Sequence, residues 1–458
     1  MKNILVVSES LGEPNHKRGI FHFTRELVRS LQADGHRLTL VVETTRRYRK
    51  LKRQQDRVRL FPPGSRLVEL LALYRFLDEN DMSERGVLSP LRQSIDWVMR
   101  RARAAASLDL AMSVLRSIGL FRRPVRLIEN SAGGFDYVPA DLRHLELFKA
   151  FQLESGIYSH QGLSSVANLP PPQVDGRNYD VVLIDAPTRV TIRRGPNTKV
   201  VCVVHDLLPV TDLKLSDVAT RIYMLRLITS LRQADELRFV SRYTRDRFAE
   251  LLPQFAHLPS RVVYPRTRFE VPRPRSVAGR NEPVRPSFVV IVSAEHRKNL
   301  HGVIQAFKSL PNADLFVIGY TGGTKVTHQL PPNVRYTGYL DEREKAALIA
   351  DAYGVIMPSF AEGFGVPIIE ALAANTPVLC SDIAVFREVA GDLADYFDPF
   401  STRSICESVG RVITRQQEWR EKIVAQRTTL MKRYGHQTQG RDFLASCDRT
   451  HQLIFATQ

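Results

Sequence analysis

One stretch of the sequence, Pro358 to Glu370, constrains the fold more than any other segment. The apolar run Tyr353–Met357 precedes it and has the length and composition of a buried strand. The stretch continues through a glycine-bearing loop into a segment with helical spacing. Pro367 suits the first helical position, where the N–H that proline lacks would have no partner. We therefore expect a strand, a loop and a helix in succession, as in parallel α/β sheets.

The loop within this stretch predicts a binding site for phosphate beside sugar hydroxyls. The backbone N–H groups of Phe364, Gly365 and Val366 would lie at the positive end of the helix, where anions bind. Glu362 and Glu370 flank these groups, eight residues apart. Carboxylates are poor phosphate ligands but good acceptors for hydroxyl groups. The combination indicates a phosphate held between two polyols, as in a nucleotide diphosphate sugar.

The spacing of Glu362 and Glu370 also carries a resemblance to a known family. The segment P-S-F-A-E-G-F-G-V-P-I-I-E-A-L-A-A-N-T-P-V resembles the signature of retaining glycosyltransferases of family 4. That resemblance implies the GT-B architecture, an α/β fold of two Rossmann-like doubly wound domains that face a cleft. Three further segments resemble family motifs: S-A-E-H-R-K-N-L at 293–300, N-V-R-Y-T-G-Y-L at 333–340, and H-D-L-L-P at 205–209, which is similar to mannosyltransferase-like members.

The length and the apolar pattern predict how the chain divides. At 458 residues it fits two domains and an insertion. We expect an N-terminal, acceptor-side domain over 1–270, interrupted by a mainly helical insertion at about 46–178, where the family resemblance is absent. A proline- and arginine-rich linker follows over 271–286. The nucleotide-sugar-binding domain then covers 287–440, and 441–458 forms a helix that packs back on the N-terminal domain.

The net charge of +17 predicts an anionic partner. Basic residues crowd the segment from Arg46 to Arg59, which only Asp56 opposes. The segment is either a solvated face or a surface that docks on anionic lipid, where each Lys or Arg gains about 1 kcal/mol. No apolar run approaches the roughly 20 residues that cross a bilayer. We therefore expect a cytoplasmic protein, peripheral at the inner face of the plasma membrane.

The pattern of the four cysteines also predicts a cytoplasmic protein. They are scattered, with no C-x-x-C pair, which argues against a zinc ribbon or a disulfide framework and favours reduced thiols. Cys202 and Cys380 lie in apolar runs and are expected to be buried. The first residues, Met1 to Val7, have the character of a first β-strand rather than a signal peptide.

The family resemblance assigns catalytic roles to four residues. Leaving-group departure develops negative charge on the diphosphate, which fixed cations stabilise. The chain has no D-x-D motif for a metal, so we expect Arg297 and Lys298 to supply the positive charge, with no metal and no other cofactor. Glu362 would accept hydroxyls of the donor sugar and Glu370 those of the ribose. His205 would orient the sugar and the leaving group.

Further donor contacts follow from the same resemblance. Gly363 to Val366 would offer backbone groups to the phosphate and the sugar. Gly19 resembles the family's glycine loop, where a side chain would obstruct the diphosphate. Tyr339 and Leu340 lie where family members hold the nucleobase through main-chain atoms, so the sequence does not reveal which base is bound.

The leading interpretation is a retaining hexosyltransferase that extends a lipid-linked or surface polysaccharide. GDP-mannose is the first choice of donor because of the H-D-L-L-P segment. One alternative is another GT-B enzyme, a phosphorylase or a nucleotide-sugar epimerase. The other is a basic nucleic-acid-binding protein without catalysis, in which aromatic side chains should alternate with the basic ones. Only Tyr48 does so between Arg46 and Arg59, which weighs against nucleic acid.

Overall fold

The computed structural model describes residues 1–12, 19–44, 126–129, 147–155, 157–167, 170–211, 217–267, 285–292, 295–319, 330–338, 340–435 and 439–445. The chain forms two compact units. The first comprises Met1–Phe239, Phe248–Arg261 and Gln439–Gln458, and the second comprises Val240–Arg247 and Val262–Thr438. Of the predicted linker at 271–286, only the last two residues are described.

The first unit contains ten described strands. They are β1 (Asn3–Val7), β2 (Arg37–Thr44), β3 (Arg126–Glu129), β4 (Ala150–Ser155), β5 (Gln173–Asp175), β6 (Val181–Ile184), β7 (Thr191–Arg193), β8 (Lys199–Val204), β9 (Glu236–Phe239) and β10 (Ser260–Val262). Eight of them form one sheet in the order β10-β9-β8-β6-β1-β2-β4-β3, and β5 pairs with β7. β3 runs antiparallel to β4, whereas β1, β2, β4, β6, β8 and β9 are joined by parallel pairing.

The order of these strands reverses between β1 and β6. The chain proceeds outward on one side from β1 to β2 and on the other from β6 to β8. In open α/β sheets, ligands bind at such a switch point, beyond the carboxyl ends of the strands. Both strands are buried on both faces, as expected for a parallel sheet covered by helices.

Helices cover this sheet. They are α1 (Gly19–Ala33), α2 (Ile157–Ala167), α3 (Leu208–Thr211) and α4 (Asp217–Leu231). The next helix, α5 (Arg242–Leu251), belongs to the second unit up to Arg247 and to the first unit from Phe248. In α1, the buried side chains of Phe23, Leu27 and Leu31 recur at helical spacing and face the core. The short helix Gln439–Leu444 packs against α1, and the Gly440 N–H donates to Ser30 Oγ at 2.7 Å.

The prediction of a mainly helical insertion over 46–178 is wrong in its described part. β4 pairs in parallel with β2 and extends the main sheet, and α2 follows it. Phe151 and Gln152 of β4 are completely buried. The strand A-F-Q-L-E-S mixes polar and apolar residues, so its sequence does not resemble the continuous apolar runs of its neighbours. Residues 45–125 and 130–146 lie outside the described residues.

The second unit is a six-stranded parallel sheet with the order β13-β12-β11-β14-β15-β16. Its strands are β11 (Ser287–Val292), β12 (Asp314–Gly319), β13 (Val334–Gly338), β14 (Gly354–Met357), β15 (Val378–Ser381) and β16 (Ala394–Phe397). Its strand order reverses between β11 and β14. The switch point of this sheet therefore lies at the carboxyl ends of those two strands.

The helices of the second unit follow its strands in alternation. They are α6 (Leu300–Lys308), α7 (Glu342–Asp351), α8 (Val366–Ala373), α9 (Ala384–Ala390), α10 (Thr402–Thr414), α11 (Gln416–Ala425) and α12 (Arg427–Tyr434). Phe288 of β11 and Phe307 of α6 lie in the apolar core between sheet and helices, with ring centroids 6.0 Å apart. The strand that the sequence predicts over Tyr353–Met357 is β14, which begins one residue later.

Candidate functional site

The switch point of the second unit brings together residues that follow two different strands. Arg297 and Lys298 lie in a 3-10 turn, His296–Lys298, just beyond β11. The turn ends at Asn299, whose φ of 49° is left-handed and whose side chain accepts a hydrogen bond from the N–H of Gly302 at the start of α6. This cap fixes where the turn stops and the helix begins.

Glu362 lies beyond β14 and meets both cations. Its Oε2 accepts a hydrogen bond from Arg297 Nη1 at 2.8 Å, and its Oε1 accepts one from Lys298 Nζ at 2.5 Å. The Ser359 hydroxyl donates to Oε1 at 2.8 Å. Arg297 also donates to the Ala361 carbonyl and pairs with Glu295. The structure therefore brings two predicted site residues, Arg297 and Lys298, to the buried carboxylate of a third, Glu362.

The charges of this cluster keep Glu362 ionised. Burial alone would raise the pKa of Glu362, but Lys298 and Arg297 together hold it below its usual value. Lys298 and Arg297 are mostly buried, with side-chain exposures of 18% and 20%. Charges in such a place interact more strongly than on the surface because less water screens them.

The helix N-terminus beside the cluster presents unpaired backbone donors. The N-cap of α8 is Gly365, at a φ of 101°, where a Cβ would come within 2.8 Å of the Phe386 ring. Val366 is the first helical residue, so the prediction that Pro367 occupies that position is wrong by one residue. Within the described part of the chain, the N–H groups of Phe364, Gly365 and Val366 donate to no acceptor. An anion can accept their hydrogen bonds.

Other contacts fix the loop in this conformation. The Gly363 carbonyl accepts hydrogen bonds from the hydroxyls of Ser241 and Thr244, at 2.8 and 3.2 Å. The Phe364 ring packs against Tyr264 and Tyr434, with centroids 5.9 and 6.0 Å away. The side chain of Phe364 therefore anchors the loop, and its backbone N–H stays available.

Glu370 lies on α8, one turn beyond the helix N-terminus, and is paired. Its Oε1 accepts a hydrogen bond from Lys345 Nζ of α7 at 2.9 Å. Lys345 also reaches Glu342 at 3.3 Å. Burial alone would lower the pKa of Lys345, but Glu370 and Glu342 raise it, so the lysine stays charged and orients the Glu370 carboxylate. Nothing in the sequence pattern singled out Lys345, since a lysine on an amphipathic helix is common.

The predicted nucleobase residues are only partly described. Tyr339 lies outside the described residues, and Leu340 is half-buried just before the capping box of α7. At the same edge of the sheet, three aromatic rings stack in sequence. The Phe360 ring lies 5.7 Å from His296 and 4.7 Å from Phe400, whose side chain is 82% exposed.

The remaining predicted residues lie in the first unit. His205 directly follows β8, and its Nε2 donates to the Asp185 carbonyl at 2.8 Å. Burial lowers the pKa of His205 to about 4, so the ring is neutral at pH 7 with its proton on Nε2. Gly19 begins α1 and is exposed, and a Cβ there would meet no atom of the described residues within 4 Å. Packing against the described residues therefore does not require a glycine at this position.

The sequence interpretation missed a buried carboxylate in the first unit. Asp185 follows β6 and accepts hydrogen bonds at Oδ2 from the hydroxyls of Ser8, Ser10 and Thr24, at 2.6, 2.7 and 3.0 Å. Burial raises the pKa of Asp185 to about 6. The signal that could have found it is its place at the carboxyl end of a buried strand, one strand away from His205.

The two units define the fold class. Each is a mainly parallel α/β sheet covered by helices, and together they form the two-domain Rossmann-like fold called GT-B. Solved structures with this fold align over almost the whole chain. Sucrose-phosphate synthase from Thermosynechococcus elongatus covers 94% of this chain and 97% of its own, with a TM-score of 0.51 and 14% identity. Anabaena Alr3699/HepE, solved with UDP-glucose, covers 97% and 98%, with a TM-score of 0.54 and 13% identity.

A family match covers the part of the chain that carries the Glu362 cluster. Residues 276–427 match the family "Glycosyl transferases group 1". The chain is 33% identical over 156 residues to O-antigen chain mannosyltransferase B of Escherichia coli, covering 31% of this chain and 41% of that protein. It is 27% identical over 162 residues to phosphatidyl-myo-inositol mannosyltransferase of Mycobacterium leprae, covering 34% and 41%. The chain thus spans less than half of the length of these relatives.

The described part of the chain has neither a cluster of metal ligands nor a membrane-spanning helix. No three His, Cys, Asp or Glu side chains of those residues lie close enough together to hold a metal ion. No described helix is both long and apolar enough to cross a bilayer. Cys202 and Cys380 are buried, as the sequence predicts.

Proposed function

We propose that this protein is a glycosyltransferase that moves a hexose from a nucleotide diphosphate sugar to a glycan acceptor. One observation carries the proposal. At a sheet switch point, inside the segment that matches group 1 glycosyltransferases, a buried carboxylate holds two cations beside three unpaired backbone N–H groups. A diphosphate needs the cations and the N–H groups, and a sugar needs the carboxylate.

The geometry suggests how the residues divide the work. As the bond between the anomeric carbon and the diphosphate breaks, Arg297 and Lys298 stabilise the charge that develops on the leaving group. The N–H groups of Phe364 to Val366 bind the same phosphates. Glu362 accepts a hydroxyl of the transferred sugar while it keeps both cations in place, and Glu370, oriented by Lys345, accepts the ribose hydroxyls.

GDP-mannose is the donor that we propose, with retention of the anomeric configuration and without a metal. The names of the relatives support mannose, since several are mannosyltransferases. The H-D-L-L-P segment around His205 supports it independently. The position of Arg297 and Lys298, which both contact Glu362, supports a metal-free mechanism because these cations can neutralise a diphosphate.

We propose a lipid-linked or polysaccharide acceptor, reached at the cytoplasmic face of the plasma membrane. Relatives named for the O-antigen chain and for phosphatidyl-myo-inositol support this class of acceptor. Docking on anionic lipid would use the basic segment Arg46–Arg59, which lies outside the described residues.

Ligand-dependent melting and turnover together test the proposal. GDP-mannose, UDP-glucose, dTDP-glucose and ADP-glucose are each added to the protein, and the melting temperature and the release of free nucleotide diphosphate are measured. A bound donor raises the melting temperature by mass action. We expect GDP-mannose to do so in the wild type and in the control Lys308→Ala, and to be turned over by both. If none of the four donors raises the melting temperature or is turned over, the proposal is wrong.

A further inference from the structure

The carboxyl edge of the first unit's sheet holds a second buried carboxylate that the proposed donor chemistry does not use. Asp185 follows β6 and meets Ser8 and Ser10, which follow β1, across the switch point of the sheet. Asp185 is 2% exposed, whereas Ser10 and His205 beside it are partly exposed. The carboxylate therefore lies just below the surface, at the place where α/β sheets bind ligands.

The hydrogen bonds to the Asp185 carboxylate all end on one of its two oxygens. All three hydroxyls donate to Oδ2, and no group in the described part of the chain donates to Oδ1. One oxygen is thus saturated by the protein, and the other can accept a further hydrogen bond.

Within the described residues, no cation forms a hydrogen bond or an ion pair with the Asp185 carboxylate. Arg226 of α4 pairs with Glu9 at 3.3 Å, and Glu9 itself raises the pKa of Asp185. A buried carboxylate with only neutral donors is costly, and an asparagine could accept hydrogen bonds from hydroxyls without that cost. The retained charge points to a function rather than to packing.

We propose that Oδ1 of Asp185 is an acceptor-sugar subsite, in which the carboxylate accepts a hydrogen bond from a hydroxyl of the sugar that is to be glycosylated. The proposal rests on the proposed transferase function. The ligand class follows from the geometry: one anionic oxygen beside the neutral ring of His205 suits an uncharged polyol and repels a phosphate.

Free monosaccharides serve as probes for this subsite. D-mannose, D-glucose, D-galactose and L-rhamnose are each compared with their enantiomers at equal, near-molar concentration, and the melting temperature is measured. Sugars stabilise proteins by being excluded from their surface, but enantiomers are excluded equally. A difference between enantiomers therefore reports a specific chiral site.

Two matched variants locate that site. Asp185→Asn keeps the shape of the side chain and removes its charge. Asp180→Asn makes the same change at the amino end of the same strand, where the carboxylate accepts from the backbone N–H of Asn3. We expect an enantiomer-dependent shift in the wild type and in Asp180→Asn, and its loss in Asp185→Asn. A hydrogen bond to a charged group changes affinity by about 10- to 100-fold, which removes binding this weak from the measurable range.

Donor measurements separate the failure of this inference from the failure of the proposed function. GDP-mannose should still raise the melting temperature of Asp185→Asn, and its slow hydrolysis by water should continue. If no probe sugar distinguishes its enantiomer, or if Asp185→Asn keeps the difference, the subsite is refuted and the transferase proposal stands. If Asp185→Asn does not fold, the measurement on the wild-type protein can still refute the subsite. It does so if no probe sugar and its enantiomer give different melting temperatures.

Discussion

The switch points of the two sheets are built alike but hold different charged groups. In each unit, a carboxylate that follows the fourth strand of the order, β6 or β14, meets side chains that follow the strand next to it. In the second unit, Glu362 meets the cations Arg297 and Lys298, which lower its pKa. In the first unit, Asp185 meets only hydroxyls, and burial raises its pKa to about 6.

The difference teaches how one topology can hold two kinds of substrate. The second unit offers two cations, beside the buried Glu362 and the half-exposed Glu295, to the diphosphate that we propose as its ligand. A carboxylate among hydroxyls keeps net negative charge for a neutral sugar hydroxyl. The fold supplies the same crevice twice, and the residues at the strand ends decide what binds there.

The largest expected effect concerns the cation pair. Lys298→Ala should lower kcat by about 10²- to 10³-fold, because a fixed charge near the developing diphosphate is lost. Steady-state release of GDP from GDP-mannose measures it. Lys308→Ala, an exposed lysine at the end of α6, should keep the wild-type rate. If Lys298→Ala turns over GDP-mannose at the wild-type rate, Lys298 does not stabilise the leaving diphosphate, and the role proposed for the second switch point is wrong.

Neutralising Glu362 should destabilise the second unit. Glu362→Gln removes the carboxylate that Lys298 contacts and leaves Arg297 with only the half-exposed Glu295, at a cost of about 2–4 kcal/mol in the free energy of unfolding at pH 7. Because the folded-state pKa of Glu362 is lowered, its contribution is present above about pH 4.3 and is lost as the pH falls through the folded value. Urea unfolding at pH 7 and pH 3 measures the difference, which should shrink in acid.

Neutralising Asp185 should instead raise the free energy of unfolding. Its folded-state pKa is raised, so the ionised side chain costs stability above about pH 6, and the cost disappears as the pH falls toward the unfolded value near 4. Asp185→Asn should therefore raise the free energy of unfolding by about 1–3 kcal/mol at pH 8, and the gain should fade by pH 4. Asp180→Asn controls for the substitution. If Asp185→Asn is less stable than the wild type at pH 8, then the ionised Asp185 does not destabilise the fold, and the two carboxylates do not differ in this respect.

A smaller effect is expected at Glu370, the carboxylate that we propose to accept the ribose hydroxyls. Glu370→Gln should raise the KM for GDP-mannose about tenfold, since the amide is a weaker acceptor for hydroxyls. Glu342→Gln removes the other carboxylate that contacts Lys345 and should leave KM unchanged. If both variants change KM equally, the pairing with Lys345 matters and contact with the ribose does not.

No effect is expected from a metal chelator. If Arg297 and Lys298 neutralise the diphosphate, then EDTA should leave the initial rate with GDP-mannose unchanged. A loss of activity that manganese restores would mean that the cation pair does not suffice, and that the contrast between the two switch points omits a metal.

Much of the second unit could be predicted from sequence because its signals are local. The apolar runs of β11 and β14 and the glycine loop before α8 each carry their own pattern. The segment that contains β4 could not be predicted in this way. Its mixed sequence joins the sheet only through pairing with β2, more than one hundred residues earlier in the chain. Asp185 was missed for a related reason, since its hydroxyl partners lie just after β1 and in α1.

The sequence by itself determined the alternation of strands and helices and the loop that exposes three N–H groups, because apolar periodicity and glycine act within a few residues. Only the tertiary structure decided which charges meet. Arg297 reaches Glu362 across 65 residues and Ser8 reaches Asp185 across 177, because the order of strands in each sheet sets which carboxyl ends are neighbours. That order arises from the packing of whole sheets, which no local pattern records.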